Sequence, residues 1–460
     1  MDLKNIQLTN FKRAYFVGIG GIGMSALARY FKSLGWEVCG YDKTETALTK
    51  ALQTEGIQIH FEDLGQAIPE QFQQKESTLV IYTPAIPKNH GELNFFQNNS
   101  FTLLKRAQVL GLLTHSSKGL GVAGTHGKTT TSSLLAHMLN ESALKCNAFL
   151  GGIASNFNSN LLTSSTSDYT VIEADEFDRS FLQLSPFASI ITSTDADHLD
   201  IYGDASVFLE GFQMYADLIH EDGFLLQRHG LNLKSKANSY TYAVNDETAV
   251  FHGANLSFRN GFFYFDFHSP SGVLTDLEFG LPGIHNTENA IACIAMCQLL
   301  GLSEAEIRFG LKTFKGVKRR FEFQVRTENL IYIDDYAHHP TEINALVSSV
   351  KMMYPNKKIY GVFQPHLFSR TRDFFEGFVV ELSKLDEAIV LPIYPAREEP
   401  IPGITSDGIV EQLTCKVKML MLPEEAINYF KTKSDGVVLT IGAGDIDRIV
   451  EPLKNTLISK

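Results

Sequence analysis

The sequence predicts an α/β protein of three domains, each a mainly parallel sheet covered by helices. Three observations predict it. Short apolar runs alternate with stretches of helical periodicity along the whole chain, the pattern of strands joined by helical crossovers. The chain has 460 residues, which at ordinary domain sizes makes about three domains. Two glycine-rich turns, at 18–23 and 124–127, each follow an apolar run and lead into a helical pattern.

The first block is residues 1–108. Ala14-Tyr15-Phe16-Val17 reads as a strand, Gly18-Ile19-Gly20-Gly21-Ile22-Gly23 as the turn after it, and the stretch through Leu34 as a helix. A second strand, Trp36 to Tyr41, ends at Asp42. Glycines at this spacing let a diphosphate approach the backbone N–H groups at a helix start, and an acid at the end of the next strand can bind a ribose hydroxyl. The block is therefore Rossmann-like, with Gly18, Gly20, Gly21, Gly23 and Asp42 as ligand-binding residues. The motif does not separate a nicotinamide dinucleotide from a UDP-sugar, and a purely structural turn is the plainer alternative.

The second block, 109–317, carries the sharpest local signal. The strand Leu120-Gly121-Val122-Ala123 runs into Gly124-Thr125-His126-Gly127-Lys128-Thr129-Thr130. Such a turn surrounds phosphate oxygens with N–H groups, while Lys128 offsets phosphate charge and the Thr129 hydroxyl ligates magnesium. The strict form of the loop has glycine at position 122. Valine stands there, so the loop is a variant. Val171-Ile172 reads as a strand ending in Glu173-Ala174-Asp175-Glu176, and Ile190-Ile191 as another, followed by Asp195, Asp197, His198 and Asp200. Acids at the carboxyl ends of strands beside a phosphate loop suit Mg2+, a hard cation; a solvated acidic loop is the alternative. This block is expected to be a P-loop ATPase-like domain with a parallel sheet.

The third block, 318–460, shows strands at Leu330–Ile333, Lys358–Phe363, Ala388–Leu391 and Gly436–Thr440. It predicts a second Rossmann-like α/β domain.

Composition excludes several classes. A net charge of -12 argues against nucleic acid as the main partner, because neutralising phosphates needs a basic face. No apolar run approaches the ~18 residues of a membrane span, and the first residues lack the layout of a signal peptide. The chain is expected to be cytoplasmic, with no membrane insertion. The five cysteines are scattered and form no CxxC pair, which argues against a disulfide framework or a structural zinc site. Cys293 and Cys297, one turn apart in an apolar helical pattern, read as core packing.

Six motifs occur in order: the phosphate loop, Glu173–Glu176, Asp197-His198, Gly283-Ile284-His285-Asn286 with Asn289, Arg319-Arg320-Phe321-Glu322, and Asp334-Asp335-Tyr336-Ala337-His338-His339-Pro340. Together they resemble the Mur ligase family across nearly the whole chain. Within that family, Gly18–Met24, the stretch from Gln364 and His366 to Arg370 and Arg372, and Tyr394–Gly403 are similar to the branch that adds L-alanine to UDP-N-acetylmuramate. A neighbouring branch, which reattaches recycled murein tripeptide, shares the phosphate loop and the Asp334–Pro340 stretch but usually lacks the last two features in this form.

The resemblance implies a reaction and a set of roles. ATP and Mg2+ would activate the lactyl carboxylate of UDP-N-acetylmuramate as an acyl phosphate, and the amine of L-alanine would displace phosphate. Gly124 to Thr130 would hold the ATP phosphates, with Lys128 at the γ-phosphate and Thr129 on a first magnesium. Glu173 and His198 would hold a second. Asn286 and Asn289 would lie near adenine, Asp335 at the ribose, and Arg320 at the phosphates. Tyr336, His338, His366, Arg370 and Arg372 would bind alanine and the reacting carboxylate, and His198 or His338 would take the amine's proton. The Gly18–Gly23 turn would hold the UDP diphosphate. Several family members carry a carbamylated lysine shortly after the Asp-His pair; here no lysine lies between His198 and Lys234, so no carbamate is expected.

Plainer readings of the same residues stay open. Asn286 and Asn289 are also good helix caps. Arg319 and Arg320 also fit a solvated linker pair, and Asp334 and Asp335 fit turn caps. Adjacent His338 and His339 do not share one helical face, which argues against zinc. A nicotinamide oxidoreductase accounts for Gly18–Gly23 and Asp42 but leaves the phosphate loop without a role. A nucleotide switch leaves Arg370 and Arg372 without an anion to bind.

Overall fold

The structure, a computed structural model, describes residues 6–195, 202–259, 262–396 and 398–459. These form two compact units. The first holds the chain through Ala254 together with Asp266–Leu277 and Glu288–Phe314; the second holds Asn255–Phe265, Glu278–Thr287 and the chain from Lys315.

The first unit begins with a five-stranded sheet of β1 (Arg13–Val17), β2 (Glu37–Tyr41), β3 (Gln58–His60), β4 (Thr78–Tyr82) and β5 (Thr102–Lys105), in spatial order β3-β2-β1-β4-β5. Every pairing in it is parallel. The order reverses between β1 and β4, and the glycine turn after β1 stands at that switch point, where open α/β sheets bind ligands. The helix Ile22–Ser33 starts directly from the turn, with Gly21 at its cap.

The second sheet is centred on β6 (Lys118–Ala123). Around it lie β7 (Asn147–Ala154), β8 (Ser159–Leu162), β9 (Tyr169–Glu173), β10 (Ala188–Ile191), β11 (Phe224–Arg228) and β12 (Asn238–Val244), in spatial order β12-β11-β10-β6-β9-β7-β8. Strands β13 (Phe251–Arg259), β14 (Phe262–Ser269) and β15 (Gly272–Phe279) extend the β12 edge. β6 pairs in parallel with β9 and β10, so the loop leaving β6 emerges between the ends of these two strands. Only the outer pair β7–β8 departs from the expected parallel arrangement on that side.

The second unit contains a six-stranded sheet of β16 (Glu322–Arg326), β17 (Leu330–Asp335), β18 (Ile359–Phe363), β19 (Glu387–Val390), β20 (Val417–Leu420) and β21 (Gly436–Ile441), ordered β16-β17-β21-β18-β19-β20. β16 is antiparallel to β17 and the other pairings are parallel. Both faces are covered. Ile331 and Ile333 of β17 point into one buried cluster, and Leu330 and Tyr332 into another. A strand buried on both faces reads as a continuous apolar run, which is why β17, β18 and β21 stand out in the sequence.

The helix Ile284–Leu299 buries Cys293 and Cys297 completely, as their spacing predicts. Asn286 is not its cap. It lies inside the first turn, and its amide donates to Pro282 O at 2.7 Å. Among the described residues, no helix is long and apolar enough to cross a membrane.

Candidate active site

In the first sheet, the glycine turn is closed by an acid. Gly18 has φ +92°, a conformation that favours glycine. Gly20 N–H donates to Asp42 Oδ2 at 2.7 Å, and Thr44 N–H donates to the other oxygen at 3.2 Å. A Cβ on Gly20 would lie 2.7 Å from Thr49 Cγ2 and 2.8 Å from Asp42 Oδ2, so no other residue fits without moving that acid. The Arg106 guanidinium fills the space a Cβ on Gly23 would take, and it pairs with Asp175 at 2.9 Å. Gly18, Gly20, Gly23 and Asp42 thus come together as expected. Arg106 escaped the sequence reading, because nothing near it in the chain marks it.

The loop after β6 turns at Gly124 (φ +134°) and Gly127 (φ +82°), and Gly127 caps the helix Lys128–Asn140. The end of β10 holds the loop from below. His126 N–H donates to Ser193 Oγ at 2.9 Å, Thr125 N–H donates to Ser193 O at 3.2 Å, and the Thr192 hydroxyl donates to His126 O. The first N–H groups of the helix, from Lys128 on, have no intrahelical acceptor by helix geometry, which makes the turn an anion cradle.

Lys128 Nζ donates to Gly124 O at 2.5 Å and to Glu176 Oε1 at 2.8 Å. Burial works against its ammonium, but Glu176, Asp175 and Glu173 outweigh burial and hold its pKa above the ordinary lysine value. Burial likewise raises the Glu176 carboxyl to about 7 against the pull of Lys128. Thr129 Oγ1 donates to Glu173 Oε1 at 3.2 Å, and the other Glu173 oxygen accepts from Gly151 N–H at 3.1 Å. The hydroxyl and carboxylate expected to ligate magnesium are therefore neighbours, and both offer hard oxygen donors. His198 lies outside the described residues. Among the described residues, no group of three or more His, Cys, Asp or Glu is arranged to hold a metal. Asn289 lies against Gly127, where a Cβ would come within 2.8 Å of its Oδ1.

The second unit gathers the remaining residues. Arg319 is no solvated linker residue: its Nε pairs with buried Asp334 at 3.3 Å and its Nη2 donates to Gly442 O at 2.7 Å. Arg319 and Phe321 have φ of +61° and +49°, and Asp335 stabilises this turn. One Asp335 oxygen accepts from Phe321 N–H at 2.6 Å and the other from Ala337 N–H at 2.8 Å. Burial lifts Asp335 to about 6, with Arg320 opposing. The Arg320 guanidinium lies 5.0 Å from the Tyr336 ring centroid and 3.8 Å from Glu342 Oε1.

His339 caps the helix Pro340–Met353 through Nδ1, and Pro340 takes the first helical position, where its missing N–H costs nothing. His338 Nδ1 lies 3.0 Å from Tyr336 O, and its backbone N–H donates to Glu342 Oε2 at 2.9 Å. Burial lowers His338 to about 4; Glu342 opposes this, while Arg370 and Arg320 add to it. Its ring centroid is 6.4 Å from that of His366, which stacks on Tyr394 at 5.7 Å. Arg370 lies within electrostatic reach of His338. Arg372, by contrast, is largely exposed and pairs with its neighbour Asp373 at 2.7 Å. Glu176, read from the sequence as part of a cluster suited to Mg2+, is paired with Lys128 instead, and Glu342 is a charged partner that sequence reasoning left without a role.

Two glycine turns of the kind that hold phosphates, one with a lysine and hydroxyl beside strand-end acids, define a nucleotide-binding α/β protein. Three family models match successive parts of the chain: the Mur ligase family catalytic domain over residues 13–118, the Mur ligase middle domain over 122–297, and the Mur ligase glutamate ligase domain over 319–444. The UDP-N-acetylmuramate–L-alanine ligase of Parabacteroides distasonis is 51% identical over 96% of both chains. That of Phocaeicola vulgatus is 47% identical over 99% of this chain and 100% of its own. The solved UDP-N-acetylmuramate–alanine ligase of Thermotoga maritima superimposes with a TM-score of 0.82 at 28% identity, covering 96% of this chain and 98% of that one. A murein peptide ligase from Psychrobacter arcticus, 20% identical, shares the fold with a TM-score of 0.67 over 96% of this chain and 99% of its own. The chain belongs to the Mur ligase family.

Proposed function

We propose that this protein joins L-alanine to the lactyl carboxylate of UDP-N-acetylmuramate, with cleavage of ATP to ADP and phosphate. It would act in the cytoplasm, as a step of peptidoglycan precursor synthesis. What carries the reading is the identity of 51%, sustained over 96% of both chains, with a relative that bears this activity in its name. The three blocks divide the work: 1–108 for the UDP-sugar, 109–317 for ATP, and 318–460 for the amino acid.

A carboxylate is a poor acyl donor, because its leaving group would be oxide. ATP supplies the phosphoryl group that turns it into an acyl phosphate. Gly124, Thr125, His126, Gly127 and Thr130 form the cradle for the phosphates, and Lys128 and Arg320 offset charge on the transferring group. Thr129 and Glu173 are the donors for Mg2+, which would supply further positive charge there. Asn286 and Asn289 serve the adenine side, and Asp335 the ribose. Gly18, Gly20, Gly21 and Gly23 receive the diphosphate of the sugar nucleotide, with Asp42 fixing the turn through Gly20.

At the amino-acid end, Arg370 and Arg372 attract a carboxylate, and Tyr336, His338 and His366 complete the surroundings. With a pKa near 4, the His338 imidazole is neutral at physiological pH and a weak base. Its role is to accept a hydrogen bond from the amine and orient it, a task that suits so weak a base better than proton abstraction.

The acyl-phosphate step is tested with UDP-N-acetylmuramate carrying 18O in its lactyl carboxylate. One labelled oxygen should leave in the released phosphate. Phosphate without label would contradict the proposal.

A further inference from the structure

The loop after β19 folds back over the short helix Phe368–Asp373. Tyr394 in this loop forms an isolated bridge with His366. Four residues on, Glu398 accepts two hydrogen bonds from one residue, from Ser369 N–H at 2.9 Å and from the Ser369 hydroxyl at 2.5 Å. The Phe368 N–H is also directed at it. The helix has no cap of its own. Leu367, at the cap position, has φ +69° and offers no side-chain acceptor. The N–H groups of a first turn need acceptors from elsewhere, and here a carboxylate 29 residues away supplies them. Burial works against that carboxylate, but the Ser369 and Phe368 donors outweigh it and hold Glu398 below the ordinary glutamate range.

What this clasp holds is the segment bearing the amino-acid end of the site. Arg370 directly follows Ser369, and His366 lies two residues before Phe368. Arg370 is close enough to His338 for its charge to help keep that imidazole neutral. The Glu398 carboxylate also lies within electrostatic reach of His366. We propose that Glu398 is a positioning residue for the incoming amino acid: by clasping Phe368 and Ser369 it fixes the backbone that presents His366 and Arg370. This rests on the reading of those residues as the amino-acid end of the site.

The test is steady-state phosphate release by the full chain, with L-alanine, ATP and UDP-N-acetylmuramate varied in turn, for wild type, Glu398→Ala, Glu398→Gln and Ser369→Ala. A misplaced binding group costs on the order of 10-fold to 100-fold. Glu398→Ala should raise the KM for L-alanine by about 10-fold or more, while the other two KM values stay within about 2-fold. Glu398→Gln, which retains an acceptor, should fall between it and wild type. Ser369→Ala, which keeps the backbone bonds, should raise the alanine KM by about 3-fold. An unchanged alanine KM in Glu398→Ala, or an equal rise in all three KM values, would overturn the inference. If Glu398→Ala does not fold, Ser369→Ala decides in the same way. A wild-type protein that ignores L-alanine would overturn the proposed function itself, before any variant is compared.

Discussion

Lys128 Nζ lies 2.7 Å from a carboxylate oxygen of Glu176, whose side chain is 2% exposed. The lysine of the phosphate loop is thus already charge-paired inside the fold, and two backbone carbonyls, Gly124 O and Thr125 O, complete its surroundings. Lys128→Met removes the cation from both the phosphate cradle and the buried acid. Activity should fall by about 10^2–10^3-fold, the cost of losing one preorganised charge donor at a transition state. Stability should also depend more steeply on pH than in wild type. The Glu176 pKa is already raised by burial to about 7, and loss of Lys128 raises it further. A carboxyl with a raised folded pKa binds protons more tightly in the folded state, so its contribution is lost as pH rises from about 4.5 through the folded pKa, which is about 7 in wild type and higher in the variant. Thermal unfolding at pH 5 and pH 8 should therefore show a larger deficit against wild type at pH 8.

Gly20→Ala tests the amino-terminal turn. The new methyl meets Thr49 and the Asp42 carboxylate, so Asp42 must release the Gly20 N–H. The KM for UDP-N-acetylmuramate should rise by about 10-fold, with the KM for L-alanine unchanged, and stability should drop by about 1–3 kcal/mol as in other overpacked sites. Substrate kinetics combined with urea unfolding measure both.

Arg319→Ala should behave as a stability variant. It strands Asp334, which is 1% exposed, without its cation, and removes the bond to Gly442 O. Leaving one partner of a buried pair costs about 3–5 kcal/mol. A loss under about 1 kcal/mol in urea unfolding would show that Thr440, which donates to Asp334 Oδ1 at 2.7 Å, suffices by itself.

His285 supplies a pH prediction. Burial lowers it to about 4 from an ordinary 6.5, with Glu342 opposing and Arg320 assisting. A histidine kept neutral in the fold binds protons only in the unfolded chain between those values, so its contribution destabilises the fold as pH falls from 6.5 to 4. His285→Gln lacks that linkage. Relative to wild type it should gain about 3 kcal/mol across this window, read from unfolding free energies at pH 7 and pH 4.

Thr129→Ala and Glu173→Gln each remove one proposed magnesium donor. Half-saturation by Mg2+ in the phosphate-release assay should shift upward by at least about 10-fold. An unshifted Mg2+ dependence in both variants would remove these residues from the metal site.

How much was legible in the sequence follows from the range of each constraint. The two glycine turns were readable because the backbone there needs glycine at fixed local spacing, as at Gly18 and Gly127. Buried strands β1, β6, β17 and β21 stood out as continuous apolar runs. The half-exposed strands β12 to β15 did not, since their alternating residues fit several structures. Arg319, read equally well as solvated, is fixed by Asp334, 15 residues on. The pairs Lys128–Glu176 and Arg106–Asp175 span 48 and 69 residues, and no local spacing announces them. Asp42 was found by its position after β2, but its bond to Gly20 required the folded turn.

The most direct test of the central claim is phosphate release from ATP and Mg2+ with UDP-N-acetylmuramate, supplied with L-alanine or with murein tripeptide in parallel. Release that requires both the sugar nucleotide and L-alanine, and is not supported by the tripeptide, is the predicted result. Release supported by the tripeptide and not by L-alanine would contradict the alanine assignment, and release that needs neither would contradict the ligase assignment altogether.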